Sequence, residues 1–204
     1  GSFGVAVLDL KLMIASGEVI RCSPTENSDV FWATIGGLGL TGVILSARIQ
    51  LTEVETSYVH VDYQRTRNLE ETLERFSQTD ADYQYSVAWI DSLSRGKSLG
   101  RSVIMLGNNA SRSQLSPRQR QSPLQVPPPR SRSVPFYLPN IVLNPWSVQA
   151  FNSLYYETHR DGSRLVDYYK FFYPLDSLLH WNRIYGRRGV VQYQALFPQE
   201  TSRR

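Results

Sequence analysis

The most constraining feature of this sequence is a cluster of four glycines, Gly36, Gly37, Gly39 and Gly42, within seven residues. An apolar pattern with helical spacing precedes the cluster, and residues 43–51 alternate with the period of a β-strand. Glycine adopts positive φ angles at no steric cost and lets the main chain approach another group closely. The sequence therefore predicts a short helix, a tight turn and a long strand, in that order.

More detailed predictions can be made for the helix before the turn and for the strand after it. We predict that the side chain of Asn27 caps the helix by accepting hydrogen bonds from free main-chain N–H groups. In the strand, Val43, Leu45, Ala47 and Ile49 are predicted to share one face, and Ile44 to lie on the opposite face.

The spacing Gly37-x-Gly39-x-x-Gly42 matches the dinucleotide-binding fingerprint, and Asp62 lies twenty residues beyond it. That fingerprint needs a strand before the glycines and a helix after them, so that the helix N-terminus faces the pyrophosphate. Here the predicted order is reversed, which excludes a nicotinamide-binding Rossmann site. From the residues alone, a purely structural turn remains the alternative to a ligand-binding one.

Composition indicates a folded protein, because 41% of the 204 residues are hydrophobic and 20% are charged. There is no apolar run of about 18 residues and no secretory leader, so we expect a cytoplasmic protein, with membrane association as an alternative. Cys22 is the single cysteine, which excludes an internal disulfide and a multi-cysteine metal site.

The pattern along the chain predicts an α+β fold. A β-hairpin is predicted within residues 5–22, before the glycine cluster, and the alternation of its first strand is predicted to place Ala6, Leu8, Leu10, Leu12 and Ile14 on one face. After about residue 55, strands and helices alternate in the manner of an antiparallel sheet with helices on one face. The predicted strands there are 56–64, 83–90, 99–106, 165–172 and 189–197, and the predicted helices are 68–76 and 145–156.

Residues 107–140 are rich in proline, serine, glutamine and arginine, and we interpret them as a mobile loop. The loop holds five of the 22 basic residues and no acidic residue, which leaves 17 basic against 18 acidic residues elsewhere. Besides a plain loop, contact with anionic lipid headgroups and binding of nucleic acid are open alternatives. Because the segment lacks an aromatic stacking platform, we expect no nucleic-acid partner.

The usual catalytic constellations are absent from the sequence. His60, His159 and His180 are scattered, so we expect no metal site and no nucleophile–histidine pair. If the protein does chemistry, a cofactor must supply it. Gln192 and Gln194 alternate with apolar residues of the last predicted strand, and these amides either face solvent or bind hydroxyl groups in a cleft.

Several blocks resemble the vanillyl-alcohol-oxidase (PCMH-type) family of FAD-linked oxidases. The segment 29–44 is similar to the last flavin-contacting segment of that family, and similarity extends through residues 85–91, 172–176, 181–186 and 192–194. Within the family, the likeness is closest to oxidases of a polyprenylphosphoryl-ribose. The resemblance implies FAD as cofactor and oxidation of a secondary alcohol of a sugar by hydride transfer to the flavin.

The resemblance also implies roles for individual residues. Residues 1–55 would be the C-terminal part of the FAD-binding domain, and residues 56–204 an incomplete substrate-binding domain. Expected cofactor contacts come from Gly39, Leu40, Thr41, Gly42 and Ile44. Expected substrate contacts come from Trp89, Phe172, Leu175, Asn182, Arg183, Gln192 and Gln194. Phe172 departs from the pattern, because the prototype oxidase has tyrosine there.

Other family segments are not found within the 204 residues. The resemblance places a glycine-rich pyrophosphate loop before Gly1, and the lysine associated with proton transfer after Arg204. We therefore assign no catalytic residue, and expect an internal piece that binds FAD weakly or not at all alone. Two alternatives remain: an FAD-linked oxidase of a free sugar, polyol or aldonolactone, and a non-catalytic module with a basic loop. The oligomeric state is left open.

Overall fold

The computed structural model describes residues 3–126, 131–139 and 141–192. The chain divides into two compact units, Gly1–Glu53 (unit 1) and Val54–Arg204 (unit 2). Unit 1 begins with a 3₁₀ helix, Phe3–Ala6, and contains one α-helix and a three-stranded sheet. Its elements are β1 (Val7–Met13), β2 (Val19–Cys22), α1 (Ser28–Thr34) and β3 (Val43–Ile49).

The predicted hairpin is confirmed. Strands β1 and β2 pair in antiparallel fashion from Leu10↔Cys22 to Met13↔Val19, and β3 pairs with the other edge of β1. Helix α1 closes one side of the hairpin, where Phe31 is fully buried. The core of unit 1 consists of Val7, Leu10, Leu12, Cys22 and Phe31.

Two details of unit 1 differ from the sequence prediction. A register irregularity between Val7 and Asp9 buries Val7 and leaves Leu8 exposed, so the alternation of β1 does not extend to its first residues. Asn27 precedes α1 in the left-handed conformation, with φ of 48°, and its side chain makes no cap hydrogen bond. Its Nδ2 instead donates to the carbonyl oxygen of Arg21 (2.7 Å), which ties the helix start to β2.

The face assignment of β3 was wrong. Lys11 pairs with Ser46 and Leu12 pairs with Ile44, so Leu45 is an extra residue in a β-bulge. A bulge reverses the alternation that a regular strand would have. Ile44 therefore lies on the Leu12 side of the sheet. All seven residues of β3, an edge strand among the described residues, are exposed.

The strands of unit 2 are β4 (Tyr58–Thr66), β5 (Tyr85–Ile90), β6 (Ser102–Asn109), β7 (Arg132–Ser133), β8 (Gly162–Asp167) and β9 (Leu178–Leu179). Four of them form an antiparallel sheet of order β5–β6–β4–β8, and β7 pairs separately with β9. Its α-helices are α2 (Leu69–Thr79), α3 (Pro117–Arg120), α4 (Pro145–Thr158) and α5 (Tyr168–Phe172). Its 3₁₀ helices are Asp80–Asp82, Gly96–Ser98, Arg112–Gln114, Pro174–Ser177 and Trp181–Tyr185.

The helices contact both faces of this sheet, not one as predicted. Thr72 of α2 hydrogen-bonds Thr66 and Ser102, whereas Tyr155 of α4 packs on Trp89, whose cross-strand partner is Val103. Neighbouring residues such as Ser102 and Val103 point to opposite faces of a strand. The α+β class and the antiparallel sheet are confirmed.

Residues 107–126 have more regular structure than a loop. Strand β6 continues to Asn109, and the 3₁₀ helix Arg112–Gln114 and α3 follow. Ser111 and Ser116 each form a capping box with the glutamine three residues later, and Leu115 is buried. Composition did not reveal this order, because the helices are held by local caps and one apolar anchor.

Two predicted strands near the end also need correction. The strand predicted at 165–172 ends at Asp167, whose carboxylate accepts from the Lys170 N–H and starts α5, so Phe172 is helical. Residues 189–192 form no strand, and residues 193–197 of that prediction lie outside the described residues. Among the residues that the structure describes, no helix has the length and apolar character to cross a bilayer.

Candidate functional site

The glycine cluster of unit 1 forms an exposed turn of unusual main-chain conformation. Four of its residues have positive φ: Gly36 (77°), Leu38 (55°), Gly39 (79°) and Gly42 (149°). Leu38 is the unusual member, because branched and bulky residues rarely adopt a left-handed conformation. The side chains of Leu38 and Leu40 are 93% and 88% exposed, so the turn is not buried beneath side chains.

The positions of the turn require glycine for different steric reasons. A Cβ atom on Gly42 would lie 2.3 Å from the Met13 carbonyl oxygen, and one on Gly37 would lie 2.1 Å from the Ala33 carbonyl oxygen. These two glycines therefore permit close approach within unit 1. A Cβ on Gly39 would meet no atom of the described structure within 4 Å, so Gly39 leaves an open space beside the main chain.

Hydrogen bonds hold the base of the turn and leave its tip free. The N–H of Gly37 donates to Thr34, and the N–H of Leu40 donates to Gly37. Within the described residues, the N–H groups of Leu38, Gly39 and Thr41 have no acceptor. Free N–H groups on an exposed turn are ready donors to the oxygen and nitrogen acceptors of a ligand.

Thr41 has a second role that the sequence did not predict. Its hydroxyl hydrogen-bonds the Thr34 hydroxyl (2.9 Å), and Thr34 donates to the Val30 carbonyl oxygen (2.6 Å). The Thr41 side chain thus fastens the turn to α1. The structure places Gly39, Leu40, Thr41 and Gly42 together in one turn, with Ile44 half-exposed at the start of β3.

In unit 2, the predicted substrate residue Trp89 is part of an aromatic wall. Its ring lies 4.5 Å from the ring of Tyr155, and Tyr155 stacks on His159 at 4.0 Å. Burial raises the pKa of the Tyr155 phenol, so this side chain stays neutral at ordinary pH. Trp89 and Tyr155 are both half-buried, and this leaves part of each ring free to contact a ligand.

A buried carboxylate anchors this wall. Asp91 is fully buried two residues after Trp89, and it accepts from Asn152 Nδ2 (2.7 Å), Ser94 Oγ (2.7 Å) and Arg101 Nε (2.9 Å). Burial alone would raise the pKa of Asp91, but these hydrogen bonds outweigh it and hold the pKa below its usual value. Because Asn152 belongs to α4, the ionised carboxylate fixes α4 against the end of β5.

The predicted residue Phe172 lies on the same face of the sheet as Trp89. Its ring makes an edge contact with Tyr85 at 4.9 Å, and Tyr85 is four residues before Trp89 in β5. Side chains at even spacing in a strand share a face. The structure therefore places Trp89 and Phe172 on one face of the sheet, where Phe172 contacts Tyr85 and the exposed Val87 lies between Tyr85 and Trp89 in β5.

The remaining predicted substrate residues come after Phe172 in the sequence. Leu175 and Asn182 are exposed on the 3₁₀ helices Pro174–Ser177 and Trp181–Tyr185. Gln192 is exposed without regular structure, and Gln194 lies outside the described residues.

Arg183 has a clear structural role. Its Nη1 donates to the carbonyl oxygens of Val134 (2.8 Å) and Pro135 (3.0 Å), and its guanidinium lies over the Tyr137 ring at 5.9 Å. The guanidinium therefore joins the segment 134–138 to the 3₁₀ helix Trp181–Tyr185. Its expected contact with a substrate stays a prediction.

Sequence reasoning missed Tyr155 and Asp91, whereas it placed Tyr85 on the same strand face as Trp89. A signal for Tyr155 was present, because Tyr155 lies in the helix predicted at 145–156 four residues after Phe151, and residues at this spacing share a helix face. The role of Asp91 depends on partners far away in the sequence, such as Asn152, and no local pattern reveals such a contact.

Comparison with known proteins gives three informative relatives, whereas no family model matches the chain. The chain is 38% identical over 98% of its length to decaprenylphosphoryl-beta-D-ribose oxidase of Mycolicibacterium smegmatis, of which it covers 44%. It is 53% identical over 22% of its length to cytokinin dehydrogenase 9 of Oryza sativa subsp. japonica, of which it covers 9%. It is 34% identical over 33% of its length to Delta(24)-sterol reductase of Mus musculus, of which it covers 13%. The chain thus spans less than half the length of these relatives.

Proposed function

Because the chain belongs to the family of FAD-linked oxidases, we propose that it is part of an FAD-dependent oxidoreductase that oxidises a secondary alcohol of a lipid-linked sugar. The proposed substrate resembles the decaprenylphosphoryl-ribose named in the first relative. In this proposal unit 1 is the C-terminal part of a PCMH-type FAD-binding domain, and unit 2 is the substrate-binding domain.

The observation that carries the proposal is the open turn of residues 36–42. Its free N–H groups at Leu38, Gly39 and Thr41 are donors that suit the polar edge of a flavin or its diphosphate. The absence of a side chain at Gly39 leaves room for a flat ring to approach the main chain. The residues present therefore fit FAD, with Leu40 and Ile44 adding apolar contact.

Bound FAD would supply the hydride acceptor that the side chains of this chain cannot provide. The chain itself would bind and orient the sugar. Trp89 and Phe172 offer aromatic surface on which the apolar face of a sugar ring packs. In this proposal Leu175 adds apolar contact, and the amides of Asn182, Gln192 and Gln194 offer donors and acceptors for hydroxyl groups.

The test of the proposal is flavin reduction without oxygen. The full-length protein is loaded with FAD and mixed with decaprenylphosphoryl-ribose, ribose, ribitol or an aldonolactone, and the absorbance of oxidised flavin is followed. We expect rapid bleaching only with the lipid-linked sugar. Bleaching only by a free sugar, polyol or lactone would keep the flavin chemistry and overturn the substrate class.

A matched pair of variants connects the test to unit 2. Trp89→Leu removes the indole from the aromatic wall, whereas Trp32→Leu changes an exposed tryptophan of unit 1. We expect Trp89→Leu to slow flavin reduction at low substrate concentration and Trp32→Leu to leave it unchanged. Equal behaviour of the two variants would remove Trp89 from the substrate site.

A further inference from the structure

Unit 2 exposes several large apolar side chains within a short stretch of sequence, here called the aromatic patch: Phe136, Tyr137, Ile141 and Trp146. Their exposed fractions are 62%, 48%, 78% and 81%, respectively. Single exposed apolar residues are common on soluble proteins, and these four are informative because they fall within eleven residues of the sequence.

The patch is held in place by the fold. The Leu138 N–H donates to the Arg183 carbonyl oxygen (2.9 Å), which fixes the first half of the patch. In the second half, the Ser147 hydroxyl donates to the Val142 carbonyl oxygen (2.5 Å), and Asn144 caps the first turn of α4. Trp146 projects from that first turn. These contacts hold the main chain in a conformation that leaves the apolar side chains in solvent.

Each half of the patch shares a cleft with an arginine. Arg95 shares a shallow cleft with Trp146, together with Leu93, Pro145 and Gln149. Arg187 shares another with Tyr137, Leu138 and Pro139. Both arginines are exposed, and no ion pair is recorded for either within the described residues.

The surrounding sequence strengthens the positive character of this surface. Residues 92–156 contain no aspartate or glutamate and eight lysine or arginine residues, of which Arg101 is ion-paired with Asp91 just before this segment. Two of those arginines are engaged by main-chain oxygens: Arg120 donates to Leu115 and Ser113, and Arg112 donates to Arg120. They still contribute charge, but the side chains placed beside exposed apolar surface are Arg95 and Arg187.

Aromatic side chains beside arginines, with no acidic residue in the same segment, match the interface of an anionic bilayer. Tryptophan and tyrosine favour the headgroup level, where their apolar rings meet the acyl chains, and arginine is attracted to the lipid phosphates. We propose that the aromatic patch docks unit 2 on an anionic lipid surface, with Trp146 and Ile141 inserted and Arg95 and Arg187 at the headgroups. This docking needs neither bound flavin nor turnover.

The experiment is co-sedimentation of the full-length protein with vesicles of phosphatidylcholine, with and without phosphatidylglycerol. One double variant, Ile141→Ser with Trp146→Ser, removes the inserted side chains. A second, Arg95→Gln with Arg187→Gln, removes the cations. The controls are Leu99→Ser and Arg160→Gln, which change an exposed apolar and an exposed basic residue elsewhere in unit 2.

We expect binding that requires phosphatidylglycerol and weakens as salt is added. Each arginine removed should lower the affinity about fivefold, the Ile141/Trp146 variant should lower it about tenfold or more, and the controls should not change it. Absence of vesicle binding, or equal loss in patch and control variants, would overturn the proposal. The proposal would also be overturned if vesicles bound no protein and the protein self-associated in a way that the Ile141→Ser, Trp146→Ser variant abolished. The patch would then contact another copy of the protein. An absence of vesicle binding would not change flavin reduction, so the docking proposal and the proposed function can be refuted independently.

Discussion

The rings of Trp89 and Tyr155 pack against each other with 4.5 Å between their centroids. Trp89 belongs to β5 and Tyr155 to α4, so this contact joins the sheet of unit 2 to its longest helix. The aromatic wall therefore depends on the position of α4 as much as on Trp89 itself. The strength of the contact between Trp89 and Tyr155 can be measured as a change in the free energy of unfolding, without knowledge of the substrate.

Replacement of Tyr155 by leucine should loosen this wall. An aromatic pair contributes about 0.5–1.5 kcal/mol beyond its buried area, so we expect Tyr155→Leu to lower the free energy of unfolding by about 1–2 kcal/mol. Phe136→Leu is the control, because Phe136 is largely exposed and lies outside the aromatic wall. Urea denaturation of both variants measures the difference, and equal midpoints would contradict a stabilising Trp89–Tyr155 contact.

Replacement of Asp91 by asparagine should cost more. The variant keeps the shape of the side chain but removes the charge that Arg101 faces inside unit 2. Breaking a buried ion pair from one side costs about 3–5 kcal/mol. We expect a shift of the urea midpoint that matches this cost, and no shift for Asp176→Asn, which changes an exposed carboxylate. A near-neutral Asp91→Asn would show that the network does not hold α4.

The same carboxylate predicts a pH dependence. Burial opposes ionisation of Asp91, but its hydrogen bonds lower its pKa in the folded protein. Its contribution to stability is therefore fully present above the unfolded pKa of about 4, and it is lost as pH falls through the lower folded pKa. The free energy of unfolding of the wild type should fall in this acid range, with a smaller fall for Asp91→Asn. Parallel curves for the two proteins would contradict the assignment.

Gly42 should tolerate a side chain less well than Gly17. Both have positive φ, but a Cβ on Gly42 would clash with the Met13 carbonyl oxygen, whereas one on Gly17 would meet nothing within 4 Å of the described structure. We expect Gly17→Ala to cost about 1 kcal/mol from backbone conformation alone, and Gly42→Ala to cost at least about 2 kcal/mol more. Thermal unfolding of both variants tests the difference. Equal costs would mean that the main chain at Gly42 does not pack closely against Met13 of the hairpin.

Local patterns predicted the hairpin, the antiparallel sheet and the three longest α-helices, because each follows from alternation or from helical spacing within a few residues. The left-handed Asn27 and the bulge at Leu45 were missed, since both arise where the chain adapts to a neighbouring strand. The bulge matters for the site, because it moves Ile44 to the side of Leu12.

The candidate site was likewise predicted where its residues are close in the sequence and missed where they are distant. The glycine turn was predicted, because its residues are contiguous and their conformational needs can be read from the sequence. The aromatic wall was predicted only at Trp89, because Tyr155 and Asp91 act through contacts with residues more than 60 positions away. Arg183 was assigned to the substrate by resemblance, whereas its contacts to Val134 and Pro135 became visible only in the structure.

The main chain at Gly39 is proposed to lie against FAD, and the affinity of the protein for FAD tests this contact most directly. Gly39→Ala and Gly17→Ala are matched, since both residues have φ near +80° and open space where a Cβ would lie. Equilibrium titration of the two full-length variants with FAD should give a dissociation constant at least about tenfold higher for Gly39→Ala, with similar unfolding temperatures. Equal FAD affinity in the two variants would contradict the claim.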